Sequence, residues 1–214
     1  MRTACCITCC VICLLLAGQS HAGAWPREPG ATFLSFSTEV DTGDMTDTFT
    51  TLFVEYGLTD RLTLGLDAGL DDGTLYKGIV FARMPLNRPE ADMKLAIEMG
   101  VGLTDDAAVL RPGLMIGRGL DWGWMAMDTL ATVDIEAKDV DLTTDLTLGV
   151  NMSARSKLIL QLQSGHQVMD LEYLKFASSV VYEYKPGRHL ELGALAGIKN
   201  LDGYAVKLGL WRHF

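Results

Sequence analysis

Apolar residues fall on every second position in long stretches of the chain after Gly30. In LTLGLDAGL, Leu62, Leu64, Leu66, Ala68 and Leu70 share one parity, against Thr63, Gly65, Asp67 and Gly69. MKLAIEMGVGL sets Met93, Leu95, Ile97, Met99, Val101 and Leu103 opposite Lys94, Ala96, Glu98, Gly100 and Gly102. VDLTTDLTLGV repeats the pattern, with Val140, Leu142, Leu146, Leu148 and Val150 against Asp141, Thr143, Asp145, Thr147 and Gly149. Helical spacing would scatter these residues around a cylinder, whereas period two gathers them on one face of a strand.

Turn signals cut the chain at a near-constant interval. They are DTGDMTD at 41–47, GLTDR at 57–61, DDG at 71–73, PLNRPEAD at 85–92, TDDA at 104–107 and GRGLD at 117–121. EAKD at 136–139, NMSARSK at 151–157, GHQVMD at 165–170, KPGR at 185–188 and KNLDG at 199–203 follow. Eleven connections predict twelve strands of about 9–12 residues, longer than the usual five or six. Tilted strands of that length match the hydrocarbon thickness of a bilayer. An even antiparallel set closes on itself and leaves no unpaired edge in lipid. A secreted β-sandwich or calyx also alternates, but its water face has no need of glycine. The polar parity here mixes glycine with charge and threonine, as residues crowded into a narrow lumen would. The expected fold is therefore an all-β, closed antiparallel transmembrane barrel of about twelve strands, with short loops on both sides.

Aromatic positions test this independently. With both termini on one side, Tyr56, Trp122, Tyr182, Tyr184 and Phe214 fall at strand ends there, and Tyr76 and Tyr204 at the other end. Two such girdles are expected at the membrane interfaces. Phe53, Phe81 and Phe176 fit less well, and Trp124 has the wrong parity for a lipid-facing anchor.

The N-terminus follows other rules. MRTACCITCCVICLLLAGQSHAGAW has Arg2, an apolar run from Ala4 to about Ala17, and small residues at Ala22-Gly23-Ala24. This is the layout of a secretory signal peptide, 1–24, cleaved after Ala24 or Ala22, with the barrel over 25–214. The run falls short of the roughly 20 residues that a spanning helix needs. All five cysteines lie within it, so the mature chain is expected to hold no disulfide and no thiolate metal site. Gln19 stands where a lipoprotein would need a cysteine. A net charge of -9 without a basic cluster argues against a nucleic-acid partner.

The chain ends YAVKLGLWRHF, placing Tyr204, Val206, Leu208, Leu210 and Phe214 in one stripe. This ending resembles the assembly signal by which outer-membrane proteins are recognised by the barrel-assembly machinery, although Arg212 departs from the aromatic often found there. EYGLTDRLTLGLDAGL resembles a turn-and-strand pattern of small Gram-negative outer-membrane barrels. The resemblance covers roughly residues 30–214. It implies the cell outer membrane as location, with outer-membrane lipid, periplasmic chaperones and the assembly machinery as partners. It carries no activity.

Function must then be sought on the inward parity. Asp67, Lys77, Arg83, Lys94, Glu98, Arg111, Asp128, Asp134, Asp141 and Asp145 are the expected pore-lining charges. Glu55, Lys175, Glu183, Glu191 and Lys207 share their parity. The four aspartates between 128 and 145 lie on two consecutive strands, and the basic residues between 77 and 111 on three others. This predicts an acidic wall facing a basic one, and a narrow channel for small polar or ionic solutes. A non-conducting structural barrel is the alternative. The aspartates lie along strands and not in a calcium-type loop, so no metal or cofactor is expected. A third reading is an outer-membrane lipid acyl hydrolase using Ser164 and His166, with Asp170 and Glu172 beyond. Those residues run Ser-x-His where lipid A deacylases have His-x-Ser, so an enzyme is not expected. Connections of about eight residues or fewer leave little for a constriction loop or plug domain.

Overall fold

The computed structural model describes residues 23–45, 47–167, 171–200 and 203–214. The predicted leader lies outside them except for Gly23 and Ala24, and Asp170 lies outside them too. The first six strands are β1 (Thr32–Asp41), β2 (Thr48–Thr59), β3 (Leu62–Asp71), β4 (Thr74–Pro85), β5 (Met93–Thr104) and β6 (Ala107–Leu120). The rest are β7 (Gly123–Asp134), β8 (Val140–Asn151), β9 (Ser156–Gln167), β10 (Leu171–Lys185), β11 (Arg188–Lys199) and β12 (Tyr204–His213). Each pairs antiparallel with its neighbours, and β1 pairs with β12, so the sheet closes as a twelve-stranded barrel. The expected class and strand number hold, but the turn expected at 117–121 is confined to Asp121 and Trp122, because Gly117 to Leu120 pair with β7 and extend β6 to 14 residues.

Even the ten-residue strands β1, β3 and β12 suffice for the ~25 Å apolar band of an outer-membrane barrel at roughly 3.3 Å rise per residue and the usual tilt. β10 runs to 15 residues, longer than expected. Its register against β11 shifts at Leu174/Lys175 and again at Glu183/Lys185, and such bulges absorb extra residues. On the rim away from the termini, Asp72 and Gly73 take φ of 45° and 80°, and Asp105 and Asp106 take 48° and 62°. Two consecutive positive φ values make the tight hairpin turns whose twist suits antiparallel strands. At the terminal rim, Phe214 N donates to Thr32 O at 3.0 Å, tying the last residue into the β1–β12 seam.

The outward face is apolar. Val80, Val101, Leu146 and Leu208 are exposed there, as are Tyr204, Val206, Leu210 and Phe214. An apolar surface of this extent suits hydrocarbon and not water. Tyr56, Trp122, Tyr182 and Tyr184 are exposed near the terminal rim. Tyr76, expected in the distal girdle, instead lines the lumen and meets the Phe49 ring at 6.1 Å, because the β3–β4 register shifts beside it. Phe176 faces out, whereas Phe53, Phe81 and Trp124 face in.

Inward rings account for three glycines of the polar parity. Phe81 covers Gly65, Trp124 covers Gly149 and Tyr173 covers Gly165 so closely that a Cβ at any of the three would overlap the ring. Glycine stands there because an aromatic side chain from the neighbouring strand lies flat against the wall.

Candidate functional site

The lumen is divided into a packed terminal half and an open distal half. The packing comes from a segment that shows no periodicity in sequence. Residues 28–31 run beside the end of β2, where Gly30 N donates to Gly57 O at 2.8 Å and Gly57 N to Ala31 O at 3.0 Å. Arg27 N then donates to Thr63 Oγ1 on β3 at 3.0 Å, and the Arg27 guanidinium meets Glu55 Oε2 at 2.5 Å. Trp25 lies over Gly117 of β6, and Ala24, 1% exposed, packs with Ala96 and Met115. Gly23 reaches Asp128 on β7. The segment therefore crosses the lumen from β2 to β7.

Rings complete this floor. Trp124, Ile159 and Val181 form a buried cluster against which Trp25 and Trp211 pack. Phe33 meets Trp211 edge-on at 5.8 Å and His213 at 4.9 Å, and His213 meets His189 at 5.4 Å. The sequence left little chain for a plug among the loops. The chain makes one instead from the residues ahead of β1.

Ionic side chains are interleaved, not opposed wall to wall. Glu55 holds both Arg27 and Arg83. Arg83 reaches on to Glu98 at 2.7 Å, Glu98 to Arg111 at 3.1 Å, Arg111 to Asp67 at 2.6 Å, and Asp67 to Lys77 at 2.8 Å. Glu55, Asp67, Arg83, Glu98 and Arg111 are all buried. Each carboxylate has two cations, which is how a lumen holds ions without stranding any of them. The basic wall expected from sequence is thus neutralised by acids standing on β2, β3 and β5. Across the barrel, Lys207 pairs with Glu191 at 3.4 Å, and Trp211 Nε1 donates to the same carboxylate at 2.9 Å. Asp128 and Asp145 face each other across the β7–β8 ladder, and neither has an ion-pair partner among the described residues.

Above the floor lies a cavity of about 610 Å³. Asp67, Lys77, Arg83, Glu98, Arg111, Asp128, Asp141 and Asp145 all line it. Lys94 and Asp134 do not: they are engaged at the rims. Lys94 Nζ donates to the carbonyls of Pro89 and Ala91 in the β4–β5 turn, and Asp134 accepts from Glu136 N and Ala137 N at 2.7 and 2.8 Å. Much of the remaining wall is uncharged and polar, including Thr51, Thr132, Thr143, Thr147, Gln161 and Gln163. Parity alone would have found these residues, since they alternate with lipid-facing ones. The N-terminal floor left no comparable signal.

Ser164 and His166 lie on the outward parity of β9, with Ser164 Oγ donating to the Thr144 carbonyl at 3.2 Å. His166 stands opposite Glu172 in the β9–β10 register. Among the described residues, the acids that approach at metal-ligand spacing are Asp47, Asp71 and Asp72 on the distal rim, all exposed, with their oxygens within 4.8 Å of one another. Partial desolvation and the charges of Asp72, Asp41, Asp71 and Asp44 push the Asp47 carboxyl above its ordinary range.

No protein-family model matches this chain, and no curated protein matches it. Solved structures do. The NanC porin superposes with a TM-score of 0.70 at 10% identity, covering 84% of this chain and 98% of that one. The KdgM porin gives 0.65 at 9% identity, over 85% and 99%. An outer-membrane channel from Pseudomonas putida F1 gives 0.60 at 13% identity, over 92% and 100%. The fold is that of outer-membrane porins.

Proposed function

We propose that this protein is a narrow channel for small polar or ionic solutes in the outer membrane of a Gram-negative bacterium, with the termini on the periplasmic side. The polar cavity inside a lipid-facing barrel carries this reading. It falls within the size range of small-molecule sites, about 300–1,000 Å³, and is lined by threonine, glutamine and charge. The porins and the channel that share the fold support it. With the cations of β4 and β6 bound to carboxylates, Asp145 on the cavity wall leaves a negative bias, so cations should pass more readily than anions.

The purified, refolded protein in a planar lipid bilayer tests this. Discrete conductance steps with weak cation preference, reduced in Asp145→Asn, are the expected result. Silence from protein shown to be folded by heat-modifiable gel mobility would overturn it. That outcome would favour the second reading, a non-conducting barrel, to which the packed floor lends weight. We further propose that the Tyr204–Phe214 stripe directs assembly. Deleting Phe214 should lower the amount of folded barrel in outer-membrane fractions, and unchanged yield would count against the signal.

A further inference from the structure

The geometry points to Gly23 as the first residue of the mature chain, with its α-ammonium seated on the Asp128 carboxylate inside the lumen. Sequence alone leaves cleavage open between Ala22 and Ala24. The structure separates the two. Cleavage after Ala24 would remove a residue that is 1% exposed and packed against Ala96 and Met115. Cleavage after Ala22 keeps that contact, and Ser20 and Ala22 supply the small residues required at the third and first positions before the bond. Signal peptidase would add one water across the Ala22–Gly23 peptide bond, releasing a carboxylate on Ala22 and an amine on Gly23. That amine takes up a proton at neutral pH.

The new charge would appear where the lumen lacks one. Asp128 Oδ1 is buried without a hydrogen-bond partner, and Asp145 faces it across the ladder. The Gly23 backbone already lies beside that carboxylate. A Cβ on residue 23 would lie 3.1 Å from Asp128 Oδ1 and 3.1 Å from Met115 Cγ. Residue 23 is therefore held so close to the carboxylate that a side chain would crowd the site. An unpaired buried carboxylate is costly, and an ammonium at this nitrogen resolves the cost. The plug would then be anchored at both ends, by Arg27 on Glu55 and by the α-ammonium on Asp128.

Intact mass and N-terminal sequencing of the full-length gene product, recovered from outer membranes of a Gram-negative host, test the processing. A chain of residues 23–214 is expected; a start at Trp25, at any other residue, or an uncleaved chain overturns the inference. The ion pair is tested without any conductance measurement, and so apart from the channel reading. The folded protein is treated near pH 7 with an amine-acylating reagent, and the N-terminal peptide is followed by mass spectrometry. A carboxylate within contact distance favours the protonated, unreactive amine by about tenfold or more, so labelling should be that much slower than in the urea-unfolded chain. Asp128→Asn should restore most of the rate. Equal labelling of folded and unfolded wild-type protein overturns the pairing, whether or not the variant folds.

Discussion

Arg83 and Glu98 face each other across the β4–β5 ladder, and the guanidinium donates to one carboxylate oxygen through both Nε at 3.1 Å and Nη2 at 2.7 Å. Both residues are buried. Removing one member of a buried pair typically costs about 3–5 kcal/mol, because the other charge is stranded. Here neither is stranded completely, since Glu98 keeps Arg111 and Arg83 keeps Glu55. Arg83→Met and Glu98→Gln should each cost about 3 kcal/mol, the lower end of that range. The double variant should cost less than the sum. Urea titration by tryptophan fluorescence measures all three, and losses under about 1 kcal/mol would show that water screens the chain of pairs.

Trp124 on Gly149 gives a sharper test of the packed floor. Gly149→Ala places a methyl inside the indole ring, which must move or distort the ladder. Overpacking of this kind costs about 1–3 kcal/mol. Gly78→Ala on β4 is the control, because nothing lies within 4 Å of its added Cβ, and it should stay within about 0.5 kcal/mol of wild type. In a Trp124→Leu background the Gly149 penalty should largely vanish. A penalty that persists would trace the cost to the backbone and not to the ring.

Local rules made the barrel readable from sequence. Parity assigned Leu62 and Thr63, or Val101 and Gly102, to opposite faces, and turn residues such as Asp72-Gly73 placed the hairpins. Even the misfit of Trp124 was informative, because the wrong parity for lipid is the right parity for a lumen. The ion pairs were less legible. Which cation meets which acid depends on register summed over several strands, so Arg27, Glu55, Arg83, Glu98 and Arg111 join only in three dimensions. The floor was least legible of all. Gly23 to Glu28 has no alternation and adjoins the expected leader, and its burial depends on residues as distant as Thr63, Met115 and Asp128.

Trp25 is the bulkiest part of that floor, resting on Gly117 and packing against both buried clusters. If the barrel conducts, this residue should set the step size. Trp25→Ala should raise single-channel conductance severalfold and cost about 3 kcal/mol of stability through lost burial. Steps of unchanged size, from protein with normal gel mobility, would place the constriction elsewhere, among Phe33, Trp211 and His213.

Leu208 and Lys207 set the strictest test of which face meets lipid. They are neighbours on β12, yet Leu208 is 57% exposed on the outer surface while Lys207 points inward to Glu191 at 3.4 Å. A cation near mid-strand is thus already accommodated one residue away. Leu208→Arg moves such a charge to the other face, where a midplane arginine costs about 2–4 kcal/mol in an outer-membrane barrel. Lys207→Leu should cost about 1–3 kcal/mol for a different reason, since among the described residues it leaves Glu191 with only the Trp211 indole as donor. Reversible unfolding in phospholipid vesicles separates the two, because the Leu208→Arg penalty should grow with bilayer thickness and the Lys207→Leu penalty should not. A Leu208→Arg cost below about 1 kcal/mol at every thickness would mean that this stripe does not lie in hydrocarbon.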